Sequence, residues 1–248
     1  MNTFDQPGFN TELSPNKHPV WMRTLLGNIH SGAIGETVTR SLQPLGPMDE
    51  SKQSAVLMLF DGDRHSRTLP ADASVLLTHR SASLRSHSGQ VAFPGGRMDA
   101  TDRNLVDTAL REAWEETGLN RATVTPLAQL PKVHIRVTGY PVHPILAYWE
   151  DPRPLGVVNP VEADEVFRVP IGELADPDNR LMVAHGRWKG PAFRIRDYII
   201  WGFTGGMLNA LLAHGGWELP WSRDALYDLT ETLASSRNNE RHEHSDKD

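Results

Sequence analysis

Apolar residues along the chain fall into short strand-like runs separated by one clear amphipathic helix. Residues 54–60 (SAVLMLF) form a continuous apolar run closed by Asp61-Gly62-Asp63, which predicts a buried strand. Residues 74–78 predict a second strand, and 133–137, 142–149 and 166–169 predict three more. Pro94-Gly95-Gly96 is a strong break. The best helix runs from about 102 to 117, with Thr101 or Asp102 as cap and Gly118 as terminator. Residues 19–40 carry scattered apolar positions (Val20, Trp21, Leu25, Leu26, Ile29) that allow a helix. Residues 198–203 are apolar and aromatic, 204–214 look helical up to Gly215-Gly216, and a last helix is expected over about 220–235. Strands interleave with helices, so the fold class is α/β or α+β.

The 248 residues suit one large domain with appendages. The reading is a flexible N-terminal arm over 1–18, one domain over 19–234 and a disordered charged tail over 235–248. No apolar run approaches the roughly 18 residues of a membrane span. No secretory signal or C-terminal retention motif is visible, and the expected localisation is cytoplasmic. There is no cysteine, which removes disulfide scaffolds, Cys-ligated zinc, iron–sulfur clusters and thiol catalysis. A formal net charge of −6 speaks against general nucleic-acid binding.

Charge is segregated within this mildly acidic chain. Residues 73–98 contain no Asp or Glu but carry His79, Arg80, Arg85, His87 and Arg97. Residues 117–149 again contain none, while Arg121, Lys132, His134 and Arg136 are there. Between them lie Asp99, Asp102, Asp107, Glu112, Glu115 and Glu116. On a helix, Glu112, Glu115 and Glu116 share an arc of about 100°, away from Val106, Ala109, Leu110, Ala113 and Trp114. Like charges at i,i+4 cost a helix a few tenths of a kcal/mol, on the order of the gain from Arg111 with Glu115. Two readings fit: an ordinary solvated acidic face, or a cluster made for a hard divalent cation with carboxylate and phosphate oxygens around it.

At these residues a family resemblance appears. Residues 96–119 (GRMDATDRNLVDTALREAWEETGL) resemble the Nudix box, G-x5-E-x7-R-E-U-x-E-E-x-G-U with U apolar. The second half matches in full through Arg111, Glu112, Ala113, Glu115, Glu116, Gly118 and Leu119. The first half departs: Asp102 stands where the box has Glu, and eight residues rather than seven separate it from Arg111. Upstream, 76–96 (LLTHRSASLRSHSGQVAFPGG) is similar to the L-L-T-x-R-S-x3-R-x3-G-x3-F-P-G-G signature of the coenzyme A pyrophosphatase branch of Nudix hydrolases. Residues 159–174 and 198–208 look like later segments of that branch, so the resemblance covers about 54–212.

The resemblance implies the Nudix fold, a mixed curved sheet between helices with the box as a loop–helix–loop. It implies metal-dependent hydrolysis of the diphosphate of coenzyme A, and of acyl-CoA if accepted, to 3′,5′-ADP and 4′-phosphopantetheine. Mg²⁺ or Mn²⁺ would sit on Glu112 and Glu116, with Glu115 as a third ligand, and Gly95-Gly96 would let the backbone come close. Candidates for the base are Glu115 and Glu112 in the box, and Glu162 or Glu165 after Asn159-Pro160. Arg111 would brace the carboxylates. Arg80 and Arg85 are the expected phosphate contacts, with Gly95 and Gly96, because guanidinium forks bind phosphate oxygens bidentately. Phe93 is expected in the core, and His79 and His87 as structural or surface residues. The implied partner is a small nucleotide of the coenzyme A type, with no nucleic acid and no membrane; a homodimer is left open. Two other readings remain: a Nudix hydrolase of another diphosphate such as ADP-ribose, an NDP-sugar or a nucleoside triphosphate, and a regulatory module that binds nucleotide without turnover.

Overall fold

The computed structural model describes residues 8–41, 52–84, 87–134 and 140–240. The first part of the chain forms α1 (Arg23–His30), α2 (Ala33–Ser41), β1 (Ser54–Asp61), β2 (Ser74–Arg80), β3 (Val91–Ala92) and β4 (Gly95–Arg97). Next come α3 (Leu105–Thr117), β5 (Val124–Gln129), β6 (Val133–His134), β7 (Pro141–Trp149), β8 (Ala163–Pro170) and α4 (Ile171–Ala175). The last part holds β9 (Arg180–His185), β10 (Trp188–Ile195), β11 (Tyr198–Ile200), α5 (Gly202–Gly215), β12 (Leu226–Asp228) and α6 (Leu229–Ala234).

A mixed sheet in the order β3-β2-β1-β7-β5 forms the centre, with β4 on β1, β6 on β7 and β8 on β2. β1 and β7 are parallel, from Ser54↔Val142 to Phe60↔Tyr148. Both faces of this pair are covered, which explains the unbroken apolar run of β1. Ala55, Leu57 and Leu59 point toward α3, together with Ile145, Ala147 and Trp149 of β7. Met58 and Phe60 point the other way, into a core with α1, α2 and α5. The result is a helix–sheet–helix sandwich.

α3 forms despite its acidic face because its other face is buried. Leu110 is fully buried, and burying one such side chain is worth ~2 kcal/mol. Repulsion between Glu112 and Glu116 costs an exposed helix only a few tenths of a kcal/mol on the order of other i,i+4 pairs. A second sheet, β11-β10-β9-β12, packs its Phe193, Ile195 and Ile200 toward α5 and its Val183, Ala192 and Ile199 toward α6.

Several sequence expectations change. The helix expected over 19–40 is two helices, α1 and α2, broken at Gly32 with φ +80. The long last helix contracts to α6, because β12 pairs parallel with β9 and Asp228 caps the helix by accepting from Glu231 N. The run 198–203 splits: three residues form β11 and the rest enters α5. Of the strand expected over 133–137, residues 133–134 form β6 and 135–137 lie outside the described residues.

Residues 8–18, expected as a loose arm, are docked from Gly8 on. Gly8 N donates to Asp107 Oδ2 at 3.0 Å, Asn10 Nδ2 to the Arg121 carbonyl at 3.1 Å and Ser14 N to the Pro126 carbonyl at 2.7 Å. The tail is also docked up to Glu240: Asn238 is fully buried. Polar backbone-directed contacts of this kind leave no hydrophobic period to read. Among the described residues no helix is long and apolar enough to cross a membrane.

Candidate active site

α3 starts later than the sequence suggests. Its cap is Asn104, whose side chain accepts from Asp107 N at 3.0 Å, rather than Thr101 or Asp102. Asp102 is committed elsewhere. Its two oxygens take Arg111 Nε at 2.8 Å and Nη2 at 3.0 Å, and it also accepts from Asp99 N and Thr108 Oγ1. Burial works to raise the Asp102 pKa, but Arg111 and these N–H and O–H donors outweigh it and hold the carboxyl below the usual range. The offset of one residue from the Nudix spacing therefore does not empty the position: Asp102 reaches Arg111 across the loop.

Arg111 spends its remaining donors on the cluster. Nη1 meets Glu115 Oε2 at 2.9 Å and Glu112 Oε1 at 3.0 Å, and Nη2 donates to the Arg97 carbonyl at 2.8 Å. This is the bracing role expected for Arg111. Gly118 ends α3 with φ +75, the left-handed cap that glycine adopts without strain.

Glu112 and Glu116 stand one turn apart beside β4. Glu116 is only 3% exposed. Burial pushes its carboxyl up to about 8; Arg80 and the Gly95 N–H oppose this, while Glu112 and Glu162 add to it. Burial likewise pushes Glu112 up to about 7, with Arg111 opposing and Glu115 and Glu162 adding. A Cβ on Gly96 would run into the Glu112 carboxylate, and one on Gly95 into the Ala55 carbonyl and Val56 of β1. The two glycines let strand β4 pass between the sheet and the acids at this closeness.

A loop from the far side of the sheet completes the group. Val158 N donates to the Glu116 carbonyl at 3.1 Å, tying the loop to the end of α3. Ser81 N donates to the Glu162 carbonyl at 2.9 Å, so Glu162 sits next to the end of β2. Its charge acts on both Glu112 and Glu116. Glu165 does not join them: it accepts from the Tyr198 hydroxyl at 2.7 Å and pairs with Arg237.

Arg80 enters from β2. Its Nε is buried and has no hydrogen-bond partner among the described residues, and its charge acts on Glu116. A buried guanidinium nitrogen without an acceptor is costly unless a ligand supplies one. Arg85 lies outside the described residues. His79 is structural: it is buried, its Nδ1 lies against Asp164 and its Nε2 donates to the Asn238 carbonyl at 3.1 Å. His87 is exposed and pairs with Gln90 at 3.1 Å, and Phe93 is in the core.

Among the described residues no three acidic or histidine side chains stand close enough, as placed, to hold a metal ion. The chemistry of the donor set nevertheless suits a hard divalent cation. Both carboxylates are raised by burial and by neighbouring acids, Glu116 by Glu112 and Glu162 and Glu112 by Glu115 and Glu162, and a cation among them would turn that repulsion into attraction. Glu112, Glu116 and, at the rim, Glu115 are the residues that could hold it.

Sequence reasoning did not find Asp102 as the anchor of Arg111, nor the cap at Asn104. A signal existed for the first: an Asp nine residues before an Arg at the head of an acidic helix.

Neighbouring carboxylates on α3, a glycine pair beside them and the Arg80 guanidinium acting on Glu116 are groups suited to a hard cation and phosphate oxygens. The NUDIX domain family model matches residues 51–188, more than half of the chain, and the chain belongs to this family. It is a Nudix-type diphosphatase with the Nudix fold, acting on nucleoside diphosphate derivatives. It is 36% identical over 163 residues to a protein called uncharacterized Nudix hydrolase NudL of Photorhabdus laumondii, covering 62% of this chain and 86% of that one. It is 37% identical over 164 residues to Nudix hydrolase 3 of Caenorhabditis elegans, covering 58% and 68%. Among solved structures, a Nudix hydrolase from M. smegmatis, RenU, aligns with TM-score 0.47 and 18% identity over 71% of this chain and 92% of that one.

Proposed function

We propose that the protein hydrolyses the diphosphate bond of coenzyme A, releasing 3′,5′-ADP and 4′-phosphopantetheine, with Mg²⁺ or Mn²⁺ as cofactor. The observation that carries the reading is the buried Nε of Arg80, without a partner among the described residues, on a side chain whose charge acts on Glu116. Arg80 belongs to the 76–96 segment similar to the coenzyme A pyrophosphatase signature, and coenzyme A brings a 3′-phosphate besides its diphosphate.

The bound cation would neutralise the diphosphate oxygens and lower the pKa of an attacking water. Glu112 and Glu116 hold it, with Glu115 kept in reach by Arg111. Glu162 takes the water proton: Glu115 is already drawn to Arg111 at 2.9 Å, whereas Glu162 approaches the same pair of acids from another loop. The water oxygen bonds to phosphorus, and the bridging oxygen leaves with the other phosphate. Arg80 orients the substrate phosphates and offsets the charge that builds on them.

The test is a panel of coenzyme A, acetyl-CoA, ADP-ribose and dGTP with Mg²⁺ or Mn²⁺. Release of 3′,5′-ADP from the coenzyme A compounds is expected. Cleavage of ADP-ribose alone would assign the enzyme to another nucleoside diphosphate derivative and overturn the substrate reading.

A further inference from the structure

The hairpin between β2 and β3 carries Arg80 at its start. Among the bonds of its described residues, Arg80 N donates to the Gln90 carbonyl at 2.9 Å and Gly89 N to the Arg80 carbonyl at 3.0 Å. Its outer side is covered by residues 236–240, which come from the far end of the chain.

Asn238 is the centre of that cover. Its Oδ1 accepts from Ile199 N at 2.8 Å and its Nδ2 donates to the Ile199 carbonyl at 3.0 Å, meeting both backbone groups of one residue in end strand β11. Its own carbonyl accepts from His79 Nε2, one residue before Arg80. Gly89 packs so closely on it, with φ +73, that a Cβ there would strike the Asn238 carbonyl and come within 2.9 Å of Glu240 N. Glu240 extends the hold: it accepts from Trp201 Nε1 at 2.7 Å, from Asn238 Nδ2 at 2.8 Å and from Gln90 Nε2 at 3.4 Å. One buried side chain, Asn238, one half-buried side chain, Glu240, and one glycine thus fasten the second sheet to both ends of the hairpin.

We propose that residues 236–240 are a positioning strap for the Arg80 hairpin, with Asn238 as its key residue and Glu240 as its outer clasp. The strap's Arg237 pairs with Glu165, three residues beyond Glu162, while no hydrogen bond or ion pair joins the strap to Glu112, Glu115 or Glu116 among the described residues. It therefore sets where Arg80 meets the substrate, and through Ser81 N on the Glu162 carbonyl the same end of the hairpin also bears on Glu162. For substrate binding this rests on the proposed coenzyme A reading; the ordering of the hairpin does not.

The experiment compares the full-length protein with Asn238→Ala and Glu240→Ala, using hydrogen exchange and steady-state kinetics with coenzyme A and Mg²⁺. Exchange at the Arg80 and Gly89 amides should quicken at least about tenfold in Asn238→Ala, as for a local opening, with α3 amides unchanged. KM for coenzyme A should rise about tenfold, with any fall in kcat smaller than that, the pattern of lost binding more than of lost chemistry. Glu240→Ala should give the same signs, smaller; it removes only the outer contacts and decides the matter if Asn238→Ala does not fold. Unchanged exchange at 80–90 in the folded variant would overturn the strap, and so would a fall in kcat at constant KM. If the unaltered protein does not turn over coenzyme A, the substrate reading falls and the exchange result still judges the strap.

Discussion

Asp102 grips Arg111 with both carboxylate oxygens, at 2.8 and 3.0 Å, and so fixes the guanidinium that in turn meets Glu112 and Glu115. The pairing of Asp102 with Arg111 sets where the acids of α3 stand, and it does so from a position one residue off the usual spacing of the family.

Removing this anchor should lower both stability and rate. Asp102→Ala leaves a largely buried Arg111 with two unmet donors, which costs ~1–3 kcal/mol, and frees it to draw Glu112 away from Glu116. We expect a lower melting temperature and kcat down about tenfold or more, in the range seen when supporting residues of metal ligands are lost. Asp102→Asn keeps one acceptor and should fall between. Thermal denaturation and steady-state rates check this; an Asp102→Ala protein equal to the parent in both would remove the anchoring role.

The two glycines of β4 should answer differently to the same change. A Cβ on Gly96 meets the end of the Glu112 side chain, which can swing aside. Gly96→Ala should fold, melt near the parent and lose activity. A Cβ on Gly95 meets the backbone of β1, which cannot move without breaking the Val56↔Gly95 pairing. Gly95→Ala should be destabilised by ~1–3 kcal/mol or more, as overpacked cores are. Melting curves of the two variants test the contrast, and equal stabilities would contradict it.

How much of this was legible beforehand depends on what kind of contact makes each element. β1 and α3 were legible because burial on two faces and on one face leaves distinct periods in the sequence. The carboxylate set was legible because Glu112, Glu115 and Glu116 share a helix face. β5 was missed because Pro126 sits inside it, tolerated by an irregular register between Pro126 and Ala128. The β9–β10 hairpin was missed because its turn, Gly186-Arg187, lacks the usual Asn-Gly or Asp-Gly mark. The docking of Asn10 and Asn238 could not be read at all: each is a single polar side chain satisfying distant backbone groups, and a one-dimensional pattern carries no trace of such pairs.

Metal-free protein should lose stability as pH rises. Glu112 and Glu116 have folded pKa values of about 7 and about 8, above the ordinary glutamate value of 4.5. The folded state therefore binds more protons than the unfolded one between these limits. Their contribution is complete below about 4.5 and fades as pH passes through 7 and 8. Melting in EDTA should fall between pH 6 and pH 8, and Mg²⁺ or Mn²⁺ should close most of that gap by binding the charged pair. A double Glu112→Gln, Glu116→Gln variant should show neither effect. Identical pH dependence in that variant would detach it from these two acids.

Glu116→Gln should separate activity from stability. The amide keeps the shape of a side chain that is buried and pushed toward its neutral form, so the metal-free protein should be at least as stable as the parent at pH 8. Turnover should drop at least about 100-fold, as expected when a metal ligand or its support is lost. A variant that keeps near-parental rates would withdraw Glu116 from the metal.

Arg80 gives the sharpest check on substrate. Its Nε is buried without a partner among the described residues, so a bound acceptor would satisfy it. If that acceptor is the 3′-phosphate, Arg80→Ala should raise KM for coenzyme A far more than for dephospho-coenzyme A, which lacks this group. A charge-assisted hydrogen bond is worth ~1.5–3 kcal/mol, or about 10- to 150-fold in affinity. Equal losses for the two compounds would move Arg80 to the diphosphate itself, since both carry that. Paired kinetics on the two substrates, with Mg²⁺ fixed and saturating, distinguish these placements directly.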